Sequence, residues 1–116
     1  MPMAWSYSGD PTSSQRDEVR FLIGDVDEGE PLLSDEEIGY LLSKTGDVRR
    51  AAAQAARAIA ARFSRQVDEA VGDIRLSLSK RAEQYWRLAA ELGGAAGPAW
   101  AGPSGELFST AIGGDI

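Results

Sequence analysis

Residues 47–71, DVRRAAAQAARAIAARFSRQVDEAV, decide the fold. Apolar side chains fall at Val48, Ala52, Ala55, Ile59, Phe63 and Val67, three or four positions apart, the repeat of one helix face. Asp47 stands at the N-cap, where a short carboxylate accepts from the first free backbone amides. Alanine on much of that stripe lets neighbouring helices come close, so the pattern predicts helix packed on helix and not helices over a sheet. The opposite stripe carries Arg50, Gln54, Arg57, Ala61 and Arg65, a basic ridge along the same helix.

Upstream, two shorter helices are expected. Ser14 with Asp17 resembles a capping box ahead of Val19, Leu22 and Ile23, and Gly24 ends that helix. The segment Asp25 to Pro31 is a loop by its Gly, Pro and Asp content. Ser34 with Glu37 is a second capping box before Ile38, Leu41 and Leu42, and Asp35, Glu36 and Glu37 lie where the helix dipole favours acids. Gly46 closes this helix.

Downstream, Gly72 and Asp73 are expected to break the long helix. Ile74, Leu76 and Leu78 then alternate with Arg75, Ser77 and Ser79, which predicts a short extended segment over residues 73–79. With a single such segment, strand pairing needs a second copy or another protein; the alternative is a loop laid across the bundle with three residues in the core. From Ser79 on, Ala82, Tyr85, Trp86, Ala89 and Leu92 form another helical stripe, stopped by Gly93 and Gly94. Residues 93–116 are rich in Gly, Ala and Pro, with isolated Trp100, Leu107, Phe108 and Ile112. Burying four side chains does not offset the entropy of ordering that much backbone, so the segment reads as an extended arm docking on a partner, or else as a mobile terminus. Met3, Trp5 and Tyr7 form a smaller candidate arm.

Composition narrows the function. The 116 residues include no cysteine and no histidine, which removes disulfides, thiolate metal sites and the commonest general base. No apolar run approaches the ~20 residues of a bilayer span, and Met1 to Gly9 lacks the pattern of a secretory signal, so a cytoplasmic origin without a membrane partner is expected. The net charge of −6 is unevenly spread: residues 1–46 carry three bases against ten acids, whereas residues 47–92 carry nine bases against six acids. Such a dipolar body favours contact between copies over free nucleic-acid binding, with ordinary solvated surface as the plainer account.

Chemical constellations are weak. Asp25, Asp27 and Glu36 occupy positions one, three and twelve of a calcium loop, but position five is Gly29 and position six, which needs glycine, is Glu30. The adjacent acids Glu36 and Glu37, or Asp68 and Glu69, point to different helix faces. Gly93, Gly94 and Gly97 follow a helix, whereas a phosphate loop precedes one. No catalytic residue, metal or cofactor is expected, and the chain is read as a non-enzyme.

The order RFLIGD, PLLSDEEI and VGDI...S.RA..Y, spread over residues 8–92, resembles the head–tail connector proteins (adaptor or head-completion proteins) of long-tailed bacteriophages and gene transfer agents. The resemblance implies an α-helical subunit assembled in the host cytoplasm into a homo-oligomeric, dodecameric ring below the portal at the virion neck. That ring extends the DNA channel and docks the stopper or tail protein, with only non-specific proximity to DNA. It implies no catalytic residues.

The sequence therefore predicts an all-α chain: a small bundle of about four helices, with a short extended segment and an extended C-terminal arm. Residues 1–10 are an N-terminal extension, 11–92 the helical connector domain and 93–116 the Gly/Pro-rich docking arm. Trp100, Leu107, Phe108, Ile112, Ile74, Leu76 and Leu78 are candidate partner-binding residues, and Arg50, Arg57 and Arg65 candidate inter-subunit charge contacts. The alternative is a small helical nucleic-acid-binding regulator that uses Arg50, Arg57, Arg62 and Arg65.

Overall fold

The computed structural model describes residues 4–96. Within them the chain forms four helices, α1 (Gln15–Ile23), α2 (Asp35–Thr45), α3 (Val48–Val67) and α4 (Gly72–Ala96), and no strand. The all-helical bundle agrees with the sequence pattern.

Local chemistry sets most of the boundaries. Ser34 Oγ accepts from Glu37 N at 3.1 Å while Glu37 returns a carboxylate oxygen to Ser34 N at 2.8 Å, a complete capping box for α2. Ser14 caps α1 through Asp17 N, but the Asp17 carboxylate turns away and accepts from Ser8 Oγ at 2.7 Å, so that box is half formed. Asp47 caps α3 through Arg50 N at 2.9 Å. Gly24 (φ 75°) and Gly46 (φ 69°) end α1 and α2 in the left-handed region, where glycine alone is unstrained.

Helix α3 lies at the centre and buries Ala51, Ala52, Ala55, Ala56, Ile59 and Phe63. Its alanines let α4 pack along much of its length, while α1 and α2 cover a second side through Val19, Ile23 and Ile38. The helix ends at Val67, four residues short of the expected Val71.

The extended segment predicted over residues 73–79 is instead the first two turns of α4. Ile74, Leu78, Ala82, Tyr85, Ala89 and Leu92 recur every three or four residues, so the stripe read from Ser79 onward begins earlier. A helix also satisfies its own backbone, whereas a lone strand leaves amides and carbonyls unpaired. The three apolar residues are not pinned in the core either: Ile74 and Leu76 are exposed and only Leu78 is half-buried. Gly93 and Gly94 do not stop α4, which continues to Ala96. Gly93 is half-buried beside α3, where a Cβ would meet Ala53 Cβ at 3.8 Å, an ordinary contact, so glycine is not required there by packing.

The N-terminal residues also differ from the expectation of a free arm. Trp5 lies on the body, its Nε1 donating to Asp25 Oδ1 at 3.0 Å and its ring under the Arg20 guanidinium at 4.7 Å. Ala4 O accepts from Asp35 N at 2.7 Å, and Ser6 donates to the Asp35 carboxylate through both its amide and its hydroxyl. Residues 4–8 are therefore a strap across the α1 and α2 ends. Met3 lies outside the described residues.

The strap closes over Arg20, whose side chain is fully buried. Its Nε donates to Ser6 O at 2.7 Å, one terminal nitrogen to Asp25 Oδ2 at 2.6 Å and Leu33 O at 2.9 Å, and the other to Asp35 Oδ1 at 2.7 Å. Asp25, equally buried, also accepts from the backbone amides of Leu32 and Leu33, each at 3.0 Å. A buried charge is tolerated only when its polar atoms are met in this way. Arg62 adds a hydrogen bond to Leu32 O from α3.

Two outcomes follow from the clamp. Asp25→Ala leaves the guanidinium and two amides short of acceptors and should cost about 3–5 kcal/mol of stability in denaturant unfolding. For Asp35, burial pushes the carboxyl up, but donors from Arg20 and Ser6 and the charge of Arg16 outweigh it and hold the group below its ordinary value. A depressed carboxyl adds stability that is present above the unfolded value, about pH 4, and is lost as pH falls through the folded one. The urea midpoint should therefore drop below about pH 4, and less steeply in Asp35→Asn.

Candidate functional site

Among the described residues the candidate surfaces are exposed faces of α3 and α4. The first two turns of α4 extend past the end of α3 and show Ile74 (66 % exposed) and Leu76 (57 %), next to Val71 (80 %) in the preceding turn. Large apolar side chains left in water at one corner of a small body mark a surface that gains free energy by being covered. Leu78 packs partly against the core, so the three predicted residues do not form one patch: Ile74 and Leu78 share a helix face and Leu76 lies on another.

Further along α4 an open groove of about 570 Å³ runs between α3 and α4, lined by Ser64, Val67, Ala82, Trp86 and Ala90. Trp86 is 45 % exposed, and the Arg87–Glu83 pair at 2.9 Å flanks it. On the other side of α4, Tyr85 donates to Ile23 O at 2.9 Å and so ties α4 to the end of α1. Burial, with the carboxylates of Asp25 and Glu30 and against Arg81, raises the phenol and keeps it a donor.

Arg50, Arg57 and Arg65 lie on the exposed face of α3, and among the described residues none enters an ion pair. Arg62, which the sequence places beside them, points elsewhere: it meets Leu32 O and stands 3.7 Å from Glu37. The ridge is thus the three arginines first singled out. Trp100, Leu107, Phe108 and Ile112 lie outside the described residues.

The calcium-loop pattern has a different use. Both Asp25 oxygens accept N–H donors in the buried clamp, and Glu36 is a first-turn acid of α2. Among the described residues no group of acids is placed to hold a metal ion, and no helix is long and apolar enough to cross a membrane.

The sequence reading missed the clamp of Trp5, Arg20, Asp25 and Asp35. A local signal was present: Arg20 lies three residues before Ile23, a spacing that places the two near one side of the nine-residue helix. An arginine there needs carboxylates, and Asp25 is the first acid beyond the helix end, whereas nothing local singles out Asp35 over Asp27, Glu28 and Glu30.

Because the arginine ridge and the α4 corner take no part in the core, substitutions there should leave folding intact. Arg57→Ala and Ile74→Ser should each shift unfolding free energy by no more than about 0.5 kcal/mol, in contrast to the clamp. Comparison with known proteins finds no match to a family model, to a curated protein or to a solved structure.

Proposed function

We propose that this chain is a structural subunit of a phage-like particle: a head–tail adaptor that assembles as a ring below the portal, extends the DNA channel and docks the next ring. The observation that carries the reading is that Val71, Ile74 and Leu76, large apolar side chains on more than one side of the start of α4, are left in water by a body whose buried Arg20 has every nitrogen hydrogen-bonded. A surface of this kind serves to bind another macromolecule, and no cluster of reactive groups accompanies it among the described residues.

The resemblance of RFLIGD and PLLSDEEI to connector proteins supports the same reading, and the clamp gives those residues a physical role. Arg20 and Asp25 from the first motif, and Leu33 and Asp35 from the second, are its members. They hold α1, the acidic loop and α2 as one piece, and a ring subunit must present neighbouring surfaces at fixed angles. An acidic chain also suits a channel through which DNA slides without sticking.

The test is to mix the purified full chain with portal rings and image the complex by electron microscopy. Ring density at the portal is expected, and its absence would sink the reading. Ile74→Asp with Leu76→Asp should keep the native helical signal in circular dichroism while portal-bound density falls at least several-fold.

A further inference from the structure

Two groups of unpaired charge face different sides of the body, although Lys44, Asp47, Asp68, Glu69, Asp73 and Glu91 are also exposed without ion pairs among the described residues. Arg50, Arg57 and Arg65 are exposed on α3, and Asp27, Glu28 and Glu36 on the α1–α2 side, without ion-pair partners among the described residues; Asp27 Oδ1 accepts only from Gly29 N, at 2.9 Å. The acidic loop is anchored where it cannot reach the ridge. Arg62 holds Leu32 O, and Arg81 of α4 lies 3.6 Å from Glu30. At 100° per residue, Arg57 and Arg50 point about 140° and 120° away from Arg62 around α3, and Arg65 about 60°. One rigid piece therefore carries an acidic loop on one side and a basic ridge whose Arg50 and Arg57 turn away from it.

The surfaces also match in shape chemistry. Between Arg57 and Arg65 the helix offers only small side chains, with Ala58 exposed and Ala61 half-buried. At the tip of the acidic loop Val26 is 43 % exposed, directly before Asp27 and Glu28. A valine can sit on the alanine patch while the two carboxylates reach the arginines on either side. Such charge-assisted pairs are stronger than neutral hydrogen bonds.

We propose that the loop Val26–Asp27–Glu28 of one copy docks head to tail on the Arg50–Arg57–Arg65 ridge of the next. Pairing ridge to ridge or loop to loop would oppose like charges, so the contact is heterologous, and every copy keeps one loop and one ridge free for its neighbours. This deepens the ring reading above and rests on it for the closure of successive contacts into a ring.

The absence of cysteine from the chain makes the test clean. Full-length Val26→Cys and Ala58→Cys chains are mixed at low ionic strength and treated with a short bismaleimide. Heterotypic cross-links several-fold above both homotypic products are expected, and high salt should bring them down to the homotypic level. Adding Arg57→Glu to the Ala58→Cys chain, or Glu28→Arg to the Val26→Cys chain, should cut the heterotypic yield several-fold, and mixing the two reversed chains should restore it. A heterotypic yield no greater than the homotypic ones, or one indifferent to salt and to charge reversal, overturns the proposal. So does a duplex-DNA gel shift that disappears in Arg57→Glu, which would assign the ridge to phosphate. Portal binding is scored separately: portal-bound rings without the heterotypic preference sink this interface alone, and the preference without portal binding sinks the adaptor reading alone.

Discussion

A fully buried guanidinium organises the first third of this protein. Arg20 sits on the apolar side of a nine-residue helix, where an unmatched positive charge would be untenable, and it forces its surroundings to supply oxygen. Asp25 comes from the turn after α1, Leu33 O from the loop, Asp35 from the first turn of α2, and Ser6 O from the strap. These groups fix the course of a polar loop that has little apolar surface of its own. Once fixed, the loop presents Leu33 to the core and holds its remaining acids outside.

The two halves of the bundle are thus stabilised by different physics. The α1–α2 half depends on charge-assisted hydrogen bonds of demanding geometry, whereas α3 and α4 depend on close approach of alanines with a few larger side chains. Arg62 and Tyr85 stitch the halves together through backbone carbonyls, at Leu32 and Ile23. Neither half draws on the exposed arginines or on the apolar start of α4. The exposed apolar start of α4 costs free energy in water without improving the fold, and the proposed assembly covers it and pairs the arginines.

What could be read from the sequence follows the range of the forces involved. Caps at Ser34 and Asp47, the glycine stops at Gly24 and Gly46, and the heptad-like stripe of α3 are local, and the structure has them where the residues put them. The start of α4 was misread because five residues of alternating Ile74, Leu76 and Leu78 fit a strand locally, while the rule that joins them to Ala82 and Tyr85 spans more than two turns. Gly93 was misread because a glycine costs a helix only about 1 kcal/mol relative to alanine, too little to end one that packs along much of its length. The clamp was the hardest to see. Its members look like solvated charges one at a time, and only their distance-dependent pairing makes Arg20 and Asp25 interior residues. The three arginines of the ridge were legible because being exposed is the default for a charge on an open helix face.

The strap and clamp have one further consequence, for the order in which structure can appear. Every hydrogen bond to the Arg20 and Asp25 side chains comes from residues 5–35, and α3 adds only the Arg62 bond to Leu32 O beside them. Loops of that length carry a modest closure entropy. On a growing chain this knot of charges is the first tertiary arrangement whose parts are all available, whereas the alanine seam must wait for both long helices to be synthesised.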